Sequence, residues 1–175
     1  AGANHKKIVL FFNPGNEPEA GDTYYIDDLA WAEKTVTDIE NFEAGATLPW
    51  EPLDQQTLVH GSFEVVNNPD ESGVNTSSKV GKYTKGSSPF STLAAVAPGV
   101  IDITEKPQYN LDVWAPAGST SMTFQLESAS SGNKDVTRDI TTPGSWETLS
   151  FDFSDFQDVT DWAALKLIFN PGVAE

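Results

Sequence analysis

In several segments of this chain apolar and polar residues alternate one for one. In SMTFQLES (121–128), Met122, Phe124 and Leu126 fall on one side and Thr123, Gln125 and Glu127 on the other. A period of two is that of a β-strand with one buried face and one wet face. Segments rich in Val, Ile, Thr, Phe and Tyr recur as KIVLFF (7–12), TYYIDDLAW (23–31), TLVHGSFEVV (57–66), KVGKYTK (79–85) and STLAAVA (91–97). They continue as YNLDVWA (109–115), VTRDITT (136–142), WETLSFDF (146–153) and ALKLIF (164–169). Between them APAGS, SSGNK and TPGS supply turn residues. The only helical suggestion is a single turn in DVTDWAAL (158–165). About ten short strands with frequent turns predict an all-β chain, a two-sheet antiparallel β-sandwich.

One pattern occurs twice. Leu10, Phe12, Asn13, Pro14 and Gly15 return in the same register as Leu167, Phe169, Asn170, Pro171 and Gly172. The inward series Ile8, Leu10, Phe12 matches Leu165, Leu167, Phe169. A recurrence of this kind is that of tandem modules. It divides the chain into residues 1–33, the closing hairpin of a module, and residues 34–175, the body of a module that lacks its own last strand. The stretch AEKTVTDIEN (32–41), free of Gly and Pro, joins them stiffly. A sandwich without its last strand leaves backbone groups and an apolar groove uncovered. Either TYYIDDLAW folds back within the chain, or the head of a neighbouring copy completes it by strand addition and builds a head-to-tail filament.

Composition narrows the partners. Of 175 residues 38% are hydrophobic, with five Trp, ten Phe and four Tyr, enough for a substantial core. The formal charge of −16 argues against nucleic acid and anionic lipid, both of which need a cationic face. The absence of cysteine excludes disulfides, thiolate metal sites and thiol nucleophiles. The longest apolar run, IVLFF, is far short of a bilayer span, so no membrane insertion is expected. AGAN at the start lacks the basic and apolar regions of a secretion signal, which fits a removed signal or an excerpt of a longer chain.

NFE (41–43), NPDESGVNTSSKVGKYTK (68–85), YNLDVWAP, FQLES and GSWETLSFDFS (144–154), then KIVLFFNPG and GDTYYIDDLAW in cyclic order, together resemble a known family. They are similar to the galactose-binding-like jelly-roll modules attached to laminarinases, agarases and other secreted polysaccharide-degrading proteins of marine bacteria. The resemblance spans nearly the whole chain, with residues 68–85 its most specific stretch. It implies a non-catalytic jelly-roll module, extracellular or at the cell surface, that binds polysaccharide or serves as a repeat of an adhesin or filament. It also implies one structural calcium ion between the opening strand, carrying Glu43, and the closing strand, carrying Asp27 and Asp28.

Sugar sites on sandwiches stack aromatic side chains on sugar faces and bond hydroxyls with neighbouring polar groups. Trp114 shares its strand side with Asn110 and Asp112, and Trp50 lies in the proline-flanked TLPWEP. Phe90 stands where the family often carries Trp. These three are the expected platform, with Gln125, Arg138 and Lys166 as polar partners. Trp146 is expected in the core and Trp162 as a plug at one end of the sandwich, while Trp31 falls on the closing strand. An enzyme is not expected: His5 and His60 are isolated, and neither a nucleophile elbow nor a phosphate loop occurs.

Overall fold

The computed structural model of the chain describes residues 37–53, 61–96 and 101–174. The repeated segment at 7–15, the strand TYYIDDLAW, Trp31, Asp27, Asp28 and His60 lie outside these residues. Nine strands are described: β1 (Trp50–Leu53), β2 (Ser62–Asn67), β3 (Lys79–Thr84), β4 (Thr92–Val96) and β5 (Gln108–Trp114), then β6 (Ser121–Ser128), β7 (Gly132–Asp139), β8 (Trp146–Asp152) and β9 (Trp162–Phe169). The fold is all-β, and among the described residues the one helical feature is a 3-10 turn at Ser154–Phe156.

One sheet has the order β1-β4-β9-β6-β7, antiparallel throughout. Two antiparallel ribbons, β2-β3 and β5-β8, make up the rest. β2 lies beside β1 and β8 beside β7, so the ribbons cover the two margins of the large sheet. Arg138 on β7 fastens one margin, its Nε donating to the Ser150 carbonyl on β8 at 2.7 Å. The arrangement is consistent with a two-layer β-sandwich.

The alternation of β6 decides what lies between the layers. Met122 and Leu126 are fully buried, and Phe124 meets Tyr109, Phe151 and Phe153 edge to face at 5.2, 5.4 and 5.6 Å. Ring edges against ring faces match the signs of the aromatic quadrupoles. Burial raises the Tyr109 hydroxyl to about 12, with the nearby charge of Asp102 adding to the shift. Leu93, Leu165 and Leu167 complete the inner face of the large sheet.

One expectation changes here. DVTDWAAL makes no helical turn: Trp162 opens β9 opposite Ser128, the last residue of β6, with its side chain buried in the hydrophobic core. β9, the C-terminal member of the repeated pair, is an interior strand, bonded to β4 on one side and β6 on the other. Leu165, Leu167 and Phe169, alternating on one side, make that position favourable for a strand flanked on both sides.

Trp146 is also displaced from its expected place. It stands directly opposite Trp114 in the β5-β8 ladder, in the face that carries Asp112, Thr148, Asn110 and Ser150. It is half-buried, with its Nε1 donating to the Asp70 carbonyl of the 68–75 loop at 2.8 Å. On β3, Gly81 is required by packing: a Cβ there would lie 2.8 Å from the Phe42 ring and 2.9 Å from the Phe63 ring.

Candidate functional site

Three of the residues expected to touch sugar come together on the outer face of the large sheet. The ladders place Gln125 beside Lys166 on one side and Asp135 on the other. In the next row Thr123 stands between Ile168 and Thr137, and Leu53 faces Thr92 on the margin. Above these rows the turn before β4 brings Ser88 and Phe90, and the turn after β9 brings Pro171. Together they enclose a groove of roughly 330 Å³, at the lower end of the range for small-molecule sites.

Asn170-Pro171-Gly172, the repeated turn, forms one wall of this groove. Val173 N donates to the Asn170 carbonyl at 3.1 Å, closing a turn with Pro second and Gly172 third at φ 86°. Those are the residues that a type II turn needs at these places. Asn170, itself at φ 45°, accepts the Thr120 amide on its Oδ1 at 2.8 Å. Gly172 N donates to the Pro89 carbonyl at 3.1 Å, so the two turns that carry Phe90 and Pro171 are tied together.

The floor is polar and internally bonded. Gln125 Nε2 donates to Asp135 Oδ1 at 2.7 Å, and the Thr123 and Thr137 hydroxyls lie 2.7 Å apart. Lys166 forms an ion pair with Glu127, diagonally across the β6-β9 ladder. Thr123 is 5% and Gln125 8% exposed although both face away from the core. The outer face is therefore recessed, where alternation alone predicts a wet one. Phe90, by contrast, is 55% exposed at the rim.

The remaining expected contacts lie elsewhere. Trp50 is the first residue of β1, not an exposed loop platform. It is half-buried against Phe42 at 6.4 Å and Phe63 at 6.1 Å. Its Nε1 donates to Glu40 Oε2 at 3.2 Å. Arg138 shares a row with the buried Met122 and spends its guanidinium on the Ser150 and Thr137 carbonyls. Trp114 is 41% exposed, as the alternation of β5 predicts, but it belongs to the β5-β8 ribbon and not to the groove.

No family model, curated protein or solved structure matches the chain.

Glu43 sits in a tight turn closed by Gly45 N donating to the Phe42 carbonyl, not on an opening strand. Its carboxylate accepts the Ser78 amide at 2.8 Å, the Ser78 hydroxyl at 2.6 Å and the Lys79 amide at 3.2 Å. The Ser78 hydroxyl and the Lys79 amide hold its carboxyl below the usual range. Oε1 takes the two amides and Oε2 the hydroxyl alone, so Oε2 keeps a lone pair that an ion could use, while Asp27 and Asp28, the expected fellow ligands, lie outside the described residues. Among the described residues no group of three His, Asp or Glu side chains could hold a metal.

Sequence reasoning missed Glu40, the neighbouring clasp. It accepts from the amides of Thr47 at 2.8 Å and Leu48 at 3.0 Å, besides Trp50. Burial alone would push its carboxyl up, but the donors from Leu48, Thr47, Phe42 and Trp50 outweigh that and lower it. It missed Asp135 and Thr137 as well. Their signal was the register of the β6-β7 hairpin, which the SSGNK turn fixes.

Proposed function

We propose that this chain is a non-catalytic carbohydrate-binding module of a larger extracellular protein, and that a polysaccharide segment lies in the groove over β6 and β9. The observation that carries the reading is the convergence of Phe90, Gln125 and Lys166 on a recessed face floored by hydroxyl and carboxylate groups. Phe90, Leu53, Ile168 and Pro171 offer apolar surface to the C–H face of a sugar ring. Thr123, Gln125, Asp135 and Asn133 offer donors and acceptors for its hydroxyls. Affinity electrophoresis in gels containing laminarin, agarose, alginate or xylan tests it. Retarded migration on at least one polymer, relieved in Phe90→Ala, is the expected result. Unretarded migration on all of them would sink the reading.

A second reading is favoured by the divided layer. Among the described residues β2-β3 and β5-β8 share no ladder. A strand donated by a neighbouring copy would join them, making the chain a structural repeat of a surface adhesin or an extracellular filament. Light scattering after size exclusion decides this one. A strict monomer at every concentration eliminates it.

A further inference from the structure

The groove's charges carry an inference about its ligand, which rests on the carbohydrate reading of the same site. Among the described residues its one lining cation is Lys166, whose side chain is only 13% exposed. A near-buried ammonium is tolerated when a partner compensates it, and Glu127 does so in the adjoining row. Asp135 adds a second carboxylate, bonded to an amide rather than to a cation. Glu51 stands exposed in the same outward row on β1. Carboxylates therefore outnumber ammonium groups here, on a chain whose formal charge is −16.

Other described cations lie outside the lining: Lys85 donates to the Asn170 and Val173 carbonyls of the turn that carries Pro171, so its ammonium is held by the groove's wall and not by its floor. Lys82 pairs with Glu64, Lys134 lies 5.5 Å from the Phe156 ring centre, and Arg138 is bonded to β8. A uronate or sulfated glycan would bring its own negative charge to a floor whose one described ammonium is already paired, and would have to break the Lys166–Glu127 pair to use it. Like-charge juxtaposition of that kind is a strong device against wrong partners. A neutral sugar meets no such obstacle, since hydroxyls donate to carboxylates and accept from amides and hydroxyls.

We infer that the groove selects neutral, hydroxyl-rich polysaccharides and rejects anionic ones, with the Lys166–Glu127 pair and Asp135 as the selecting groups. Two comparisons test this. Wild-type protein is run on laminarin, xylan and alginate at low and high sodium chloride. Retardation on a neutral polymer that is insensitive to salt, with none on alginate at either salt, is expected, because contacts to neutral groups are not screened.

The second comparison titrates alginate oligosaccharides into the E127Q/D135N variant, with folding checked by near-ultraviolet circular dichroism. That variant leaves Lys166 without its partner on the floor, with Glu51 at the margin as the row's remaining described carboxylate. It gains binding at low salt that wild type lacks and loses it at high salt. Alginate retardation by wild type would overturn the selectivity while leaving carbohydrate binding intact. Retardation on no polymer removes both. A folded double variant that still ignores alginate oligosaccharides would show that these side chains do not set the preference.

Discussion

Gln125 and Asp135 face each other across the β6-β7 ladder, amide to carboxylate at 2.7 Å, with Gln125 almost fully enclosed. A buried amide held this way has its orientation fixed before any ligand arrives, so its remaining hydrogen-bonding capacity is aimed in advance.

Replacing Gln125 with Leu keeps much of the volume and removes both the donor and the acceptor. Polysaccharide affinity should fall about tenfold, the equivalent of one net hydrogen bond of roughly 1–1.5 kcal/mol. Isothermal titration with the oligosaccharide of whichever polymer retards wild type measures it. Unchanged affinity would separate Gln125 from the ligand.

Glu40 governs a second prediction. Its carboxylate holds the turn at Thr47 and Leu48 and the indole of Trp50, and its folded pKa is depressed. A depressed carboxylate contributes stability above its unfolded pKa, and the contribution disappears as pH falls through the folded value. Glu40→Gln should cost roughly 1–3 kcal/mol at neutral pH, because it leaves part-buried donors poorly matched. The variant's melting temperature should converge on that of wild type as the solution becomes strongly acidic. Parallel curves across the whole acid range would show that the charge is unimportant.

For Glu43 the discriminating condition is calcium. As a clasp on Ser78 and Lys79, the side chain stabilises the protein without any ion. Glu43→Gln should lower the melting temperature by the same amount in excess calcium and in chelator. A penalty seen only with calcium present would establish the residue as a ligand.

Tyr109 makes an alkaline prediction. Its hydroxyl is raised to about 12 by burial and by Asp102. A raised folded value means that the folded state keeps its proton longer, so stability is complete below the ordinary phenol pKa of about 10 and declines between there and about 12. Tyr109→Phe should flatten that decline, read as melting temperature against pH. A variant that loses stability as steeply as wild type would assign the alkaline limb to other groups.

Phe90 completes the set. With more than half of its surface exposed, it contributes little to folding, so Phe90→Ala should leave the melting temperature within a degree or two. Binding should weaken by about 0.5–1.5 kcal/mol, the usual value of an aromatic stacking partner. A large loss of stability would make the residue structural.

The strands were legible because alternation is enforced by the pleat. β5, β6 and β8 lie where Val, Phe, Tyr, Met and Leu recur at every second residue. The position of β9 was less legible: local pattern says that a strand has a buried face, not which neighbours it bonds. Trp50 misled for a related reason. Flanking prolines mark a loop or an edge strand equally well, and here Pro49 precedes β1 and Pro52 lies within it, at the margin of the sheet. In the groove, Gln125 and Lys166 were found by type, but the enclosure of Thr123 and Gln125 depends on turns far away in sequence, at Ser88–Phe90 and Asn170–Gly172. No period along β6 records it.

Since β9 comes last among the described strands yet lies between β4 and β6, the large sheet has no continuous order until Trp162–Phe169 is available. During synthesis β6 and β7 can close as a hairpin and β4 can pair with β1, whereas the side of β4 that bonds β9 stays open until a strand some seventy residues later is made. Until then the two halves of the sheet have no strand between them, and a nascent chain stopped short of Phe169 presents the apolar faces of Leu93, Phe124 and Leu126 to aggregation.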